Sequence, residues 1–427
     1  MSIMPKYTKF FVIPLLLFNG FLISARAEET LTWQDCVKEA AKNHPDLIAS
    51  QESVKESEAS KKITASTLFP QVDSNLSAKT ARTDTGTSNA TGDTYTYGVT
   101  GTQLLFDGTK TINNVKAAKE FIIAAKQGFR FTSSQVRFRL RTAFVNLLKA
   151  QEMLRITEEI YNIRRGNLEL ITLRYQSGLE HKGALLTAEA NLAQAQYENS
   201  QAKRDVEVAR RELTKEMGRT QLAPIEVKGD LEVKDAAQEK PDFEALAKNN
   251  PSLRQLIAKK NSADFSLKSA YANFSPTLSG QAGANKTSSH WSPQNDQWNL
   301  GLTLSMPIFE GGLRFAQVSL GKALLNQLRA NERSTADGIV LTLEQTWAAL
   351  QDAMDNVQVQ EKSLIAAEER SKIAQAQYST GFISFDNWTI IEDNLVRAKT
   401  TFLDAQANAL LTEANWIQAK GETLEYE

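Results

Sequence analysis

Apolar and polar side chains alternate with a period of two in four short segments of the chain. In the clearest segment, Trp298, Leu300, Leu302, Leu304, Met306 and Ile308 alternate with Asn299, Gly301, Thr303 and Ser305. Weaker forms of the pattern cover 71–80, 94–106 and 277–285. Because successive side chains of a β-strand point to opposite faces of a sheet, these segments predict four strands. Loops rich in Gly, Ser, Thr, Asn and Asp are predicted between the paired strands, over 83–93 and 287–296.

Two longer segments, 108–176 and 311–379, lack proline and repeat apolar residues with helical spacing. At 1.5 Å per residue, each predicts a helix about 100 Å long, which a compact domain cannot hold. Spacings of four and three alternate at Val136, Leu140, Ala143, Leu147, Ala150, Leu154, Thr157 and Tyr161, and again at Ile339, Leu343, Thr346, Leu350, Ala353, Val357, Gln360 and Leu364. This heptad pattern predicts coiled-coil packing in both segments.

The two halves of the chain repeat one another. The sequence AKNHPDL at 41–47 matches AKNNPSL at 247–253 with an offset of 206, and LFDG at 105–108 matches IFEG at 308–311 with an offset of 203. The second offset also relates the Tyr-x-x-Gly sequences that end the two long helical segments. Such register predicts a tandem duplication, in which each half contributes a helix, a β-hairpin and a helical hairpin.

The predicted strands are about ten residues long, with one apolar face, as in transmembrane β-barrels. An ordinary antiparallel sheet with one solvated face has the same periodicity. Four strands cannot close a barrel, which needs at least eight, so a barrel would require several chains.

The N-terminus carries the pattern of an export signal. Lys6 and Lys9 precede an apolar run over 10–23, which ends in the A-x-A sequence of residues 25–27. The run is too short to span a bilayer comfortably, so we predict a cleaved signal peptide over 1–27, with an N-terminal anchor helix as the alternative. Cys36 lies well beyond the cleavage site, which argues against a lipoprotein. Export favours the barrel interpretation of the strands.

Composition excludes several classes of protein. The chain has 427 residues, with 49 Lys and Arg against 50 Asp and Glu, and its mean hydropathy is −0.36. These values argue against a polytopic helical membrane protein and against a general attraction to nucleic acid. One cysteine cannot form an internal disulfide, and three scattered histidines do not make a His-rich metal site.

Catalytic motifs are absent from the sequence. It contains no Walker loop, no G-x-S-x-G elbow and no H-E-x-x-H sequence, so we predict no enzymatic activity and no cofactor. Basic and aromatic residues do interleave over 129–131 and 137–141, as on a nucleic-acid surface. Their second-half equivalents are not basic in the same pattern, so we expect a helix flank with its arginines on the outside.

Several of these sequences resemble the TolC-like outer membrane efflux protein family. The resemblance is carried by LFDG at 105–108, by PIFEGG at 307–312 and by the two Tyr-x-x-Gly turns, and it covers nearly all of the exported chain. It implies an α+β membrane protein in which three chains contribute four strands each to a twelve-stranded outer-membrane β-barrel. It also implies a long periplasmic α-helical barrel of coiled-coil hairpins, contact with outer-membrane lipid, a periplasmic adaptor protein and an inner-membrane pump of RND or ABC type.

The resemblance gives the predicted domain organisation. The first repeat covers 28–220, with a β-hairpin at about 71–106 and a helical hairpin at about 108–218. A linker over 221–241 is expected to form, with the C-terminal tail over 422–427, a belt around the helical barrel. The second repeat covers 242–421, with a β-hairpin at about 277–309 and a helical hairpin at about 311–420.

The helical turns are the predicted functional site. In the resembled family these tips form the periplasmic entrance, where the adaptor binds. The candidate adaptor contacts are Tyr175, Ser177, Gly178, Leu179, Tyr378, Thr380, Gly381 and Phe382. A purely structural role is the alternative, in which the glycines end the helices and the tyrosines pack against them.

The acidic gate positions of the resembled family are not matched directly in this sequence. The family often has an aspartate six residues after the turn glycine, but here these positions are Ala184 and Asn387. Asp386 lies one residue early, and Glu189, Glu392 and Asp393 lie on the returning helices. The candidate gate and lumen residues are therefore Asp386, Asn387, Glu189, Glu392 and Asp393, with a solvated helix face as the alternative for the carboxylates. Rings of carboxylates in a trimer would favour cations.

The predicted function is that of an outer-membrane channel that serves as the exit duct of a tripartite efflux or type I secretion system. The predicted location is the outer membrane, with an extension into the periplasm. An envelope coiled-coil tether is the alternative, which explains the helices but not the strand pairs. The sequence does not identify the cargo.

Overall fold

The computed structural model describes residues 29–84, 89–221, 224–233 and 240–424, so the predicted signal peptide lies outside the described residues. The elements follow one another in the order β1 (Glu29–Leu31), α1 (Trp33–Asn43), α2 (Pro45–Ser66), β2 (Gln71–Asp84), β3 (Asn89–Phe106), α3 (Lys110–Gln176), α4 (Lys182–Glu216), β4 (Ile225–Val227), α5 (Phe243–Asn249), α6 (Pro251–Ala272), β5 (Thr277–Ser288), β6 (Asn295–Ser305), α7 (Leu313–Ser379) and α8 (Phe385–Lys420). The series from α1 to α4 returns as α5 to α8, which is the predicted duplication.

The four long strands form one antiparallel sheet in the order β2-β3-β5-β6. The pairing of β3 with β5 joins the hairpins of the two halves, and it shifts register between Leu104 and Phe106. Trp298 and Leu300 on β6 are more than three quarters exposed, so this apolar side is uncovered in a single chain. The loops are shorter than predicted, because β2 and β3 extend into 83–93 and β5 and β6 into 287–296.

Helices α3 and α7 contain 67 residues each and reach about 100 Å. The heptad positions of α3 and α7 are buried between helices in the part of each helix where the pattern is most apolar. Leu140, Leu147 and Leu343 are fully buried, and Leu350 is nearly so. In the described residues, none of the helices combines the length and apolar content that crossing a bilayer requires.

The largest core lies halfway along α3, where α1 and the end of α4 pack on it. Val136, Leu140 and Leu147 contact this cluster together with Leu213 and Met217 of the α4 region. Short strands β1 and β4 pair in parallel beside it. Gln151 of α3 exchanges two hydrogen bonds with the backbone of Val227, at 3.0 and 3.3 Å.

The arginines of 137–141 differ from the prediction. Arg137 is only 8% exposed, and its guanidinium lies 3.2 Å from Glu422 in the C-terminal tail. Arg141 lies over the ring of Trp33, at 5.0 Å from its centroid. The expected outer flank is therefore wrong for Arg137, since a partner distant in sequence covers this side chain.

Helices α3 and α8 form the seam between the two helical hairpins of the chain, which we call the inter-hairpin seam. Ion pairs follow it along its length: Arg137–Glu422 (3.2 Å), Arg141–Glu413 (3.8 Å), Lys149–Asp404 (2.7 Å), Glu159–Lys399 (2.6 Å) and Arg164–Asp393 (2.5 Å). Residue numbers rise along α3 as they fall along α8, so the two helices run antiparallel. The pair nearest the helical turns is Arg164–Asp393.

Candidate functional site at the helical turns

Both helical turns end their helices with the same backbone geometry. At the first, Gly178 has φ +72°, and the N–H of Leu179 donates to the carbonyl of Arg174 at 2.8 Å. At the second, Gly381 has φ +80°, and the N–H of Phe382 donates to the carbonyl of Gln377 at 2.9 Å. This six-to-one bond with a left-handed glycine ends a helix abruptly, which explains the Tyr-x-x-Gly signal.

The returning helices begin at side-chain caps. His181 Nδ1 accepts the N–H of Ala184 at 3.1 Å before α4, and Ser384 Oγ accepts the N–H of Asn387 before α8. Such caps satisfy backbone donors that a helix start leaves without a partner. Each turn is therefore a short, hydrogen-bonded tip of only a few residues.

Exposure separates the predicted contact residues into two groups. Leu179 is 67% exposed and Phe382 is 84% exposed, although both are apolar. The other members of the exposed group are Tyr175, Ser177, Gly178, Thr380 and Gly381. The uncovered Leu179 and Phe382 leave apolar surface at the tips that is available for contact with another protein.

Tyr378 does not belong to this exposed group, which corrects the prediction for this residue. It is 2% exposed and its ring stacks on Trp388 at a centroid distance of 4.5 Å. Residues from both hairpins surround it in one apolar cluster, made of Ile171, Ala184, Ala188, Ala374, Tyr378, Phe385 and Trp388. This cluster, which we call the tip cluster, packs the two turns of one chain against each other.

The hydroxyl of Tyr378 connects the second hairpin to the first. It donates to Glu180 Oε1 at 2.8 Å, and the guanidinium of Arg174 lies 4.9 Å from the centre of the Tyr378 ring. Arg174 and Glu180 are themselves 3.7 Å apart. Burial, followed by the hydrogen bond to Glu180 and its negative charge, raises the pKa of Tyr378, so its hydroxyl stays protonated at neutral pH.

Sequence reasoning missed Glu180, Arg174 and Trp388. The repeat equivalents of Glu180 and Arg174 are Ile383 and Gln377, so the ionisable pair exists only in the first turn. This difference between the two halves is the signal from which the Arg174–Glu180 pair could have been predicted. A contact between two different turns needs complementary residues, so the residues involved differ between the repeats.

The candidate gate and lumen residues have different surroundings. Asp386 and Asn387 are exposed on the first turn of α8, and Glu189 is exposed about two turns into α4. Glu392 is 8% exposed and accepts a hydrogen bond from Ser371 at 2.5 Å. Asp393 pairs with Arg164 across the inter-hairpin seam. Glu392 is thus buried within the chain, which differs from the predicted lumen role, whereas Asp393 keeps half of its side chain exposed beside Arg164.

The described residues contain no group of three or more His, Cys, Asp or Glu placed to hold a metal ion. The carboxylates of the tips lie apart or are paired with Arg174 and Arg164. Within one chain, the tips therefore combine exposed apolar side chains with a buried contact, the tip cluster, between the two helical hairpins.

Comparisons with known proteins agree in one description. The family model described as "Outer membrane efflux protein" matches residues 36–219 and 243–426. The chain is 23% identical over 433 residues to "Outer membrane efflux protein BepC" of Brucella suis biovar 1, with 98% of this chain and 88% of that protein covered.

Solved structures share the fold. The open state of the MtrE outer membrane channel of Neisseria gonorrhoeae superposes with a TM-score of 0.80 at 17% identity, covering 99% of each chain. The CmeC outer membrane channel of Campylobacter jejuni gives 0.81 at 18% identity, covering 92% of this chain and 86% of that one.

Proposed function

The chain belongs to the outer membrane efflux protein family, and on this premise we propose that three copies assemble into one channel whose entrance is the ring of helical tips. It is an outer-membrane exit duct of an efflux system and extends into the periplasm. A periplasmic adaptor and an inner-membrane pump of RND or ABC type complete the system. The duct itself performs no enzymatic step and only passes the cargo.

The sheet supports assembly, because β2 and β6 are its two edges and neither has a second partner strand among the described residues. Exposed edges of long strands pair readily with another chain. Four strands from each of three copies give twelve, which is above the minimum of eight for a closed barrel. The uncovered apolar side of β6 then contacts outer-membrane lipid.

The observation that carries the proposal is a difference between repeated positions in the helices. Ile156 of α3 is 5% exposed in a cluster with Leu403 of α8, whereas its repeat equivalent Val359 of α7 is 57% exposed. Leu411 of α8 is partly buried, whereas its equivalent Val208 of α4 is 60% exposed. Positions that are covered at the inter-hairpin seam are therefore uncovered on α7 and α4.

A second copy of the chain can cover both surfaces. If α7 packs on α4 of the next copy as α3 packs on α8, the duplication also fixes the register. Arg164 and Asp393 are in contact, so their equivalents Ala367 and Ala190 should meet between copies. The contact is head-to-tail, and such a contact closes into a ring when the rotation fits.

Disulfide cross-linking tests this register. The variant carrying Ala190→Cys and Ala367→Cys should form a covalent trimer under oxidising conditions, visible on a denaturing gel without reductant. The matched control, Ala190→Cys with Asp352→Cys, places the thiols about four turns of helix, roughly 22 Å, out of register and should not cross-link. A monomer in the first variant, or equal cross-linking in both, would refute the assembly.

At the entrance, we infer that the Tyr378–Glu180 bond holds the two tips of each chain together in the closed state. Tyr378→Phe keeps the stacking on Trp388 and removes one hydrogen bond to a carboxylate, which is worth roughly 1.5–3 kcal/mol. The variant should raise single-channel conductance in planar bilayers. Tyr175→Phe is the matched control, since Tyr175 occupies the same position of the first turn and is exposed. Equal conductance in both variants would contradict the inference.

The exposed tip residues are the proposed adaptor contacts, with Leu179 and Phe382 as the apolar anchors. Phe382→Ser should weaken adaptor binding in a pull-down while leaving conductance intact.

Asp386 and Glu189, which are exposed, are the proposed carboxylates of the lumen. Asp386→Asn should lower cation selectivity, whereas Glu392→Gln should leave selectivity unchanged because that side chain is buried beside Ser371.

A further inference from the structure

His44 occupies the sharp corner between α1 and α2 and is only 5% exposed. Its backbone ends α1, and its side chain begins α2, because Nδ1 accepts the N–H of Asp46 at 3.1 Å. An acceptor at Nδ1 requires the ring to be neutral with its proton on Nε2. That nitrogen lies 3.4 Å from Glu216 Oε2 at the last residue of α4.

The charged groups facing His44 come from three helices and balance one another while the ring is neutral. Glu216 of α4 and Asp46 of α2 are the carboxylates, and Arg139 of α3 and Lys215 of α4 are the cations. Burial alone would raise the pKa of Glu216, but hydrogen bonds from Lys215 and His44 and the nearby cations outweigh it and lower that pKa. Both carboxylates are therefore charged at neutral pH, and a proton on His44 would leave a net positive charge in the corner.

The second half builds the same corner from neutral residues. Asn250 replaces His44, and its Oδ1 accepts the N–H of Ser252 at 2.9 Å. The equivalents of Asp46, Arg139, Lys215 and Glu216 are Ser252, Thr342, Gln418 and Ala419. In both halves a left-handed glycine at the end of the returning helix lies against the corner, Gly218 in the first and Gly421 in the second. The backbone is therefore shared, but an imidazole caps the first corner and a neutral amide caps the second.

We propose that the corner at His44 is a protonation-sensitive joint, in which a proton taken up by the imidazole removes the cap of α2 while the corner at Asn250 stays closed. A protonated Nδ1 is a donor and would face the N–H of Asp46, so the two groups must separate. The ring then turns toward the carboxylates of Glu216 and Asp46. Because α4 extends from the first tip at Lys182 to this corner at Glu216, the joint controls how firmly the corner end of that helix is held.

Hydrogen exchange measured by mass spectrometry on the full-length protein in detergent tests the joint. Protection of the amides at 46–48, corrected for the intrinsic rate, should fall on the order of fivefold when the pH is lowered from about 7.5 to about 5.5. The amides at 252–254 in the second corner are the internal control and should keep their protection. Equal loss at both corners, or no loss at either, would overturn the proposal.

Two variants exchange the caps between the corners. His44→Asn keeps a side-chain acceptor for the N–H of Asp46, so the first corner should lose its pH dependence. Asn250→His should introduce pH dependence at the second corner, without the partner carboxylate that Glu216 supplies to the first. If the His44→Asn protein still opens at 46–48 at pH 5.5, another group is responsible and the joint at His44 is refuted. The wild-type comparison of the two corners decides the question even if a variant does not fold.

Discussion

Replacing Gly218 by alanine should destabilise the protein much more than replacing Gly178, although both glycines have nearly the same backbone angle. Their φ values are +78° and +72°, so a side chain at either position meets the same strain of the left-handed region, roughly 1–2 kcal/mol. Their surroundings differ. A Cβ at Gly218 would lie 2.5 Å from the carbonyl oxygen of Asn43, whereas a Cβ at Gly178 would have no neighbour within 4 Å.

The magnitude follows from this overlap. The close approach involves backbone atoms of the α1–α2 corner, which cannot rotate away as a side chain can. Forcing the backbone apart costs roughly 1–3 kcal/mol in a packed region, in addition to the strain. We therefore expect Gly218→Ala to lower the free energy of unfolding by roughly 2–5 kcal/mol and Gly178→Ala by roughly 1–2 kcal/mol.

Guanidinium unfolding in detergent, followed by tryptophan fluorescence, measures both variants. Gly421→Ala provides a second case, because its Cβ would lie 2.3 Å from Cδ of Pro251, whose ring is fixed. Its loss should resemble that of Gly218→Ala. If all three variants lose the same free energy, the left-handed angle alone accounts for the need for glycine at these positions and the packing argument is wrong.

Three further predictions concern the inter-hairpin seam, the free thiol and acid stability. Exchanging the charges of the seam pair by Arg164→Asp with Asp393→Arg should recover most of the stability that either single change loses, as a double-mutant cycle would show; equal losses in single and double variants would argue against the pair. Cys36 is fully buried, and burial raises the pKa of its thiol to about 12, so a maleimide should label it only after unfolding, and rapid labelling of the folded protein would contradict its burial. The pKa of Asp46 is lowered, first by the hydrogen bond from Arg139, and the pKa of Glu216 is lowered as described above. The stability that these two carboxylates contribute is present above the ordinary carboxyl pKa of about 4 and is lost as the pH falls through their lower pKa values in the folded protein. Glu216→Gln should therefore flatten the acid limb of a stability–pH curve, and an unchanged limb would exclude this contribution of Glu216.

The elements of this protein were predictable because their signals are local. A period of two over ten residues predicts a strand, and a heptad repeat predicts a coiled-coil helix, whatever the rest of the chain does. Leu140 and Leu147 are fully buried at two of the predicted heptad positions. The turn glycines Gly178 and Gly381 have the left-handed angles that their sequences required. Because the chain is duplicated, each pattern occurs twice, and the order of the elements in one half supports the order predicted for the other.

The roles of polar side chains were not predictable in this way. Tyr378, Arg137 and Glu392 were expected at exposed or lumen-facing positions, and all three are buried. Tyr378 and Arg137 find partners far along the chain, in Glu180 and Glu422. The sequence pattern predicts that a polar residue on a helix is exposed to solvent. The local periodicity does not show whether a residue of another helix covers it and pairs with it.

The sequence by itself therefore determined the length, the type and the repeated order of the elements, since backbone preferences and the spacing of apolar residues act over a few residues. Only the tertiary structure decided which repeated positions became different. It joined the two tips through Tyr378 and Glu180, covered one side of the helical hairpins and left its repeat equivalent uncovered, and placed His44 beside the carboxylate of Glu216, a contact that its repeat equivalent Asn250 lacks. The physical reason is that burial and pairing of polar groups depend on contacts between segments that are distant in the chain.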